Sequence, residues 1–220
     1  MPRRLFLALV LVTSTASASP PFHIQLEANP AAPFPFLSKF GKVTLHVYPG
    51  GVRAETFWLN GFSRNGTSTV TVENPLGRMY TDMPIADIAG ILRKMAAAES
   101  GVERATPIVE RAVAGRVRGI DARRTRLRYG EQAWIDVWTT TVVPETPQLR
   151  TIIQELVRGI SPGTAGALAS LRGTPIYVEL NFSHYKKLPL VRLKSFASNN
   201  IGEAEALRVG KLYFKAPFDW

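Results

Sequence analysis

Two segments of the chain alternate between apolar and polar side chains, and this period constrains the fold most strongly. Every second residue is apolar in Val43–Tyr48 and again in Ile176–Ser183. A two-residue period places the apolar side chains on one face of a β-strand and the polar side chains on the other. We therefore expect an antiparallel sheet with one packed face and one solvated face.

Further segments with strand character are separated by turn sequences such as Pro49-Gly50-Gly51, so the chain predicts about nine or ten strands. Apolar residues at helical spacing predict a helix at 84–97 and a second at 147–158, where Thr146-Pro147 has the order of a cap followed by a first-turn proline. A short third helix is predicted after Ser161-Pro162. Helices that cluster between groups of strands indicate the α+β class.

The first residues predict export. Arg3 and Arg4 precede an apolar run, Leu5–Val12, which is followed by Ala16-Ser17-Ala18. This order is typical of a secretory signal peptide cleaved between Ala18 and Ser19, and the run is far shorter than the about 20 residues that span a bilayer. The two arginines leave both general and twin-arginine export open. Because the chain has no cysteine, it can carry neither a lipid at the cleavage site nor a disulfide. The expected location is the periplasm or the outside of the cell.

The domain plan that follows is a signal peptide at 1–18, a proline-rich arm at 19–40 with a possible edge strand near 23–28, and one domain at 41–220. No segment after the signal reaches transmembrane length. The net charge is +10, and it falls to +8 without the two arginines of residues 1–18. Such a charge favours anionic partners or simply aids solubility. Export argues against a nucleic acid partner and leaves transient contact with an anionic membrane surface.

The inventory of reactive groups predicts no enzyme, no catalytic residue, no metal and no cofactor. His23, His46 and His184 lack the spacing of metal ligands, and nucleotide-binding and hydrolase motifs are absent. His46 could act as a base, but its place on the polar side of an alternating strand indicates an ordinary solvated side chain. Asp136, between two tryptophans, could have a raised pKa or serve a structural hydrogen bond.

Two sets of arginines, a pair and then a group of three, have a spacing of two residues, which places each set on one face where the chain is a strand. They are Arg116, Arg118, Arg124, Arg126 and Arg128. Two interpretations remain open: the solvated face of a sheet, or a basic ridge that binds anionic headgroups.

Four blocks of sequence carry a resemblance to a known family: Lys42–Glu55, Val70–Asp82, Val113–Trp138 and Leu212–Pro217. They resemble the LolA-like and LolB-like superfamily of periplasmic lipoprotein carriers, and most closely its exported members of unassigned function. The resemblance implies a curved antiparallel sheet, an incomplete barrel, with helices packed on its concave face and a hydrophobic cavity between them.

Such a cavity would make the chain an exported lipid- or acyl-chain-binding module of the bacterial envelope, with a lipid or a lipidated protein as its partner. The alternative is a structural or interaction protein of the envelope with a filled core, and an exported enzyme ranks third. The candidate cavity residues are Trp134, Trp138, Leu149, Ile152, Leu156, Ile176, Val178, Leu180 and Phe182.

Overall fold

The computed structural model describes residues 20–29, 41–88, 90, 105–182 and 185–217. Thirteen strands in these residues form one sheet. The strands are β1 (Phe22–Ala28), β2 (Lys42–Tyr48), β3 (Gly51–Glu55), β4 (Asn60–Arg64), β5 (Thr69–Asn74), β6 (Met79–Pro84), β7 (Ile108–Val109), β8 (Val113–Val117), β9 (Ile120–Arg128), β10 (Trp134–Thr140), β11 (Thr174–Phe182), β12 (Tyr185–Ser198) and β13 (Phe214–Lys215). The signal peptide predicted at 1–18 lies outside the described residues.

Three helices with both ends in the described residues accompany the sheet: α1 (Pro147–Ile160), α2 (Pro162–Ala169) and α3 (Glu203–Ala206). Residues 85–88 and 90 are also helical, and the rest of the helix predicted at 84–97 lies outside the described residues apart from Pro84, which ends β6. No helix in the described ranges has both the length and the hydrophobicity needed to cross a bilayer.

The sheet is open and mixed. Its strands follow the order β13-β6-β5-β4-β3-β2-β1-β12-β11-β10-β9-β7, and β8 also pairs with β9. All pairs are antiparallel except β13 with β6. The expected α+β fold, a curved antiparallel sheet forming an incomplete barrel with helices on its concave face, is therefore wrong. The physical reason is that the described chain forms mainly one mixed sheet, in which the last strand adds in parallel to the outer edge of β6, and the accompanying helices are few and short.

The first strand lies in the middle of the sheet and not at an edge. β1 pairs with β2 from Phe22↔Val47 to Glu27↔Lys42, and on its other side with β12. Phe22 and Ile24 are buried, in a core cluster that also contains Leu45 of β2 and Leu193 of β12. The sheet domain therefore includes residues that the sequence assigned to an arm before residue 41.

Helices α1 and α2 pack on one face of the sheet, which we call the apolar face. Thr146 caps α1, because its Oγ1 accepts a hydrogen bond from Leu149 N at 3.2 Å, and Pro147 occupies the first turn. Leu149, Ile152 and Ile153 then contact a core built from β1, β2, β3 and β11. Full burial of a side chain such as Leu149 contributes about 1.5–3 kcal/mol.

The opposite face is covered in part by residues 199–210, which we call the C-terminal strap. His46, Arg53 and Phe62 are successive cross-strand partners, so they share this face. Ala206 and Leu207 of the strap pack against Phe62 and Tyr48. The strap therefore buries a polar face that the sequence pattern left solvated.

Candidate functional site

The turns β3–β4 and β5–β6 project from the same end of the sheet. One row of cross-strand partners, Glu55↔Asn60↔Glu73↔Tyr80, crosses β3 to β6 just before both turns. Neighbouring strands lie about 4.8 Å apart, so the two turns are separated by only about 10 Å.

These two turns present large apolar side chains to solvent. Phe57 and Trp58 lie at the tip of the first turn, with ring centroids 4.9 Å apart in an edge-to-face arrangement. Leu76 lies at the tip of the second turn. Isolated exposed apolar residues are ordinary, but a group at one place is informative.

The start of β13 adds two more apolar side chains to the same end, Leu212 and Phe214. Phe214 pairs with Met79, and its N–H donates to the Arg78 carbonyl at 3.1 Å, which sets it beside the second turn. We call the following five residues, which are 50% to 71% exposed, the apolar end: Phe57, Trp58, Leu76, Leu212 and Phe214. They are the majority of the large hydrophobic residues that are exposed in the described ranges.

Side-chain hydrogen bonds fix both turns. In the first turn, Thr56 Oγ1 donates to the Leu59 carbonyl at 2.6 Å and accepts from Leu59 N at 2.9 Å. In the second turn, Asn74 Oδ1 accepts from Leu76 N and Gly77 N, each at 3.0 Å. Asn and Thr favour turns because their side chains bond the local backbone in this way. These hydrogen bonds fix the backbone of the two turns that carry Phe57, Trp58 and Leu76.

The apolar end is also basic. The segments that form it, 56–59, 75–78 and 211–214, contain the exposed residues Arg78 and Lys211 and no acidic residue. Lys42, also exposed, lies beside the first turn, because β2 and β3 align through Thr44↔Glu55. Together these features make one end of the sheet both apolar and positively charged.

Arg53 anchors the C-terminal strap that leads into β13. Its guanidinium donates to Glu55 at 2.8 Å, to Glu73 at 2.7 Å and to the Ala206 carbonyl at 3.2 Å. The Glu73 side chain is only 1% exposed, and its second oxygen accepts from Gly210 N at 3.3 Å. A buried ion pair therefore ties the strap to the sheet.

His46 extends this network and is buried, contrary to the expectation of a solvated side chain. Its Nε2 lies 3.3 Å from Glu55 Oε2, and its Nδ1 lies 2.9 Å from Asn199 Oδ1. The Glu55 contact raises the pKa of His46, and the same contact lowers the pKa of Glu55 to about 2. His23 is the cross-strand neighbour, and its buried Nδ1 has no hydrogen-bond partner in the described part of the chain.

Arg124, Arg126 and Arg128 share one face of β9, and their charges are largely engaged within the sheet. Arg126 binds both oxygens of Asp136, at 2.8 and 2.9 Å, and its guanidinium carbon lies 4.5 Å from the centroid of the Trp134 ring. Arg128 donates to Glu110 at 3.1 Å. Asp136 thus takes the structural hydrogen-bonding role.

Arg116 and Arg118, the other two arginines predicted to bind headgroups, do not lie on that face of β9. Arg116 lies on β8 and pairs with Asp121 at 2.7 Å. Asp121, the cross-strand partner of Arg116, lies on the opposite face of β9 from Ala122, and Ala122 shares the face of Arg124. Arg116 therefore lies on the face opposite Arg124. Arg118 lies in the turn after β8, with a φ of 52°. The five arginines therefore do not form one continuous ridge.

The predicted cavity residues also separate. Leu149, Ile152 and Ile176 belong to one core cluster, and Val178, Leu180 and Phe182 to another beside α2. Trp134 and Trp138 are cross-strand partners of Arg128 and Arg124, and Trp138 also packs against the first of these clusters. The side chain of Leu156 lies outside the described structure.

A small cavity lies between α1, α2 and the start of β11. Its volume is about 20 Å³, and its lining includes Arg150, Ile153, Leu168 and Leu171. This volume holds about one water molecule, whereas pockets for small ligands usually measure about 300–1,000 Å³. It therefore has no room for an acyl chain. No group of three or more His, Asp or Glu side chains in the described ranges is arranged to hold a metal ion.

Sequence searches find no matching family model and no matching curated protein. Among solved structures, the chain is similar to an uncharacterized conserved protein from Thermus thermophilus, with 12% identity over 90% of each chain and a TM-score of 0.49. This likeness is too weak to carry an argument about fold or function.

Proposed function

We propose that this chain is a lipid-binding module of a cell envelope, and that it binds the surface of a lipid layer through its apolar end. The observation that carries the proposal is the group of five exposed apolar side chains at one end of the sheet, three of them on turns fixed by side-chain hydrogen bonds. Contiguous exposed apolar surface marks interaction sites, and tryptophan is enriched where proteins meet the bilayer interface.

The energy of such contact suits reversible binding. If each of the five side chains gains about 1 kcal/mol by burying its exposed part, the total is about 5 kcal/mol. A single myristoyl chain gives membrane binding of similar strength. The protein would therefore exchange between the lipid surface and solution.

The packing of the protein interior is more consistent with binding at a lipid surface than with an acyl chain enclosed inside the protein. The side chains expected to line a cavity, among them Leu149, Ile176 and Leu180, are packed into core clusters. The neighbouring cavity of about 20 Å³ offers too little volume. The same filled core favours a second candidate function, an interaction protein of the envelope whose apolar end binds another protein.

Co-sedimentation with phospholipid vesicles tests the proposal. The chain recovered after export should pellet with vesicles, and Phe57→Ser/Trp58→Ser should remain in the supernatant. The control Ile108→Ser/Val109→Ser removes an exposed apolar pair from the far edge of the sheet and should still pellet. Wild-type protein that stays in solution would contradict lipid binding and favour the interaction protein, and equal losses in both variants would contradict the role of the apolar end.

A further inference from the structure

We infer that the lipid surface is anionic, and that Lys42, Arg78 and Lys211 contact its phosphate groups. This inference rests on the proposed function and names the lipid class that the apolar end selects. All three cations are exposed and surround the two turns that carry the apolar tips.

No ion pair within the described residues neutralises the charges of these three side chains. Within the described residues, none of them lies within 4.0 Å of a carboxylate, whereas Arg116, Arg128 and Lys215 each pair with one. The arginines that the sequence suggested for headgroup binding thus include several that are already neutralised. The free cations instead lie where the apolar side chains project.

The arrangement matches the layers of a bilayer surface. Apolar side chains enter the boundary between headgroups and acyl chains, while Lys and Arg remain at headgroup depth because their long stems reach outward. Each cation near an anionic surface contributes about a fivefold increase in affinity, so three together give an increase on the order of 100-fold. Zwitterionic lipid offers only the apolar contribution.

The test compares vesicles of phosphatidylcholine alone with vesicles containing about 30% phosphatidylglycerol. We expect wild-type protein to bind the anionic vesicles on the order of 100-fold more tightly at low salt, and the preference to shrink as salt screens the charges. The variant Lys42→Gln/Arg78→Gln/Lys211→Gln should lose this preference and keep its weak binding to phosphatidylcholine. Circular dichroism of the variant, compared with wild type, shows that it is folded.

A charge-matched control is Arg111→Gln/Arg123→Gln/Arg172→Gln, which removes three exposed arginines outside the apolar end. It should keep most of the anionic preference. Equal binding of wild type to both vesicle types would overturn the inference while leaving lipid binding intact. An equal loss in the control would also overturn it, since net charge alone would then explain the preference. Absence of binding to either vesicle would overturn both proposals.

Discussion

Replacing Arg53 with methionine should loosen the C-terminal strap at a large cost in stability. The substitution removes the bonds to Glu55, Glu73 and the Ala206 carbonyl together. It leaves the Glu73 carboxylate, 1% exposed, with the Gly210 N–H as its one described donor. Breaking a buried ion pair in this way costs about 3–5 kcal/mol. Whole domains are stable by about 5–15 kcal/mol, so the loss is easily measured.

A double-mutant cycle separates the ion pair from the packing of Arg53. Glu73→Gln in the Arg53→Met background removes the unpaired negative charge of Glu73, so the double variant should recover much of the lost free energy of unfolding. Arg64→Met is the matched control. Its guanidinium also bonds the strap, at the Leu207 carbonyl 2.8 Å away, but the residue is exposed, and its loss should cost about 1 kcal/mol.

Urea unfolding followed by circular dichroism gives the free energies of unfolding. A loss near 1 kcal/mol for Arg53→Met, with simple additivity in the double variant, would refute the role of the buried pair. A loosened strap should also weaken vesicle binding, because it leads directly to Leu212 and Phe214.

Three further predictions concern pH, packing and processing. The pKa of His46 is raised above 6.5, so its stabilising contribution is complete below pH 6.5 and is lost as the pH rises through the raised pKa. The free energy of unfolding in urea should therefore fall more between pH 6 and pH 9 for wild type than for His46→Gln. Equal falls in the two proteins would contradict this prediction. A methyl group added at Gly115 would lie 2.6 Å from a tryptophan ring, so Gly115→Ala should lose about 1–3 kcal/mol in thermal unfolding, whereas Gly130→Ala, with open space, should not suffer from a clash. N-terminal sequencing of exported protein should begin at Ser19, and recovery of intact Met1 from membranes would contradict cleavage.

Local patterns predicted the elements better than their arrangement. The strand predicted from Val43–Tyr48 and the Thr146-Pro147 start of α1 are both found in the structure, because both depend on near neighbours in sequence. The position of β1 could not be obtained this way. Its buried Phe22 and Ile24 would suit an edge or a central strand equally, and only pairing with β12, far along the chain, decides between them.

The candidate site was missed for a related reason. Residues 52–59 suggest one continuous strand because Phe57 and Trp58 favour extended structure. The strand ends at Glu55, since the Thr56 hydroxyl closes a turn on Leu59, and Thr56 was the one local signal. His46 was assigned to solvent because the strap that covers it lies about 150 residues later in the chain.

The central position of β1 also affects the order in which the chain can fold. The hairpins from β2 to β6 involve near neighbours and can form early, but β1 gains its second partner only when residues up to Ser198 are available. Pairings between such distant segments form slowly, because the loop between them must close first. We expect the nascent chain to leave the ribosome without a completed sheet. For a protein whose first residues predict export, this delay would favour passage through a translocation channel as an unfolded polypeptide, with folding completed on the far side.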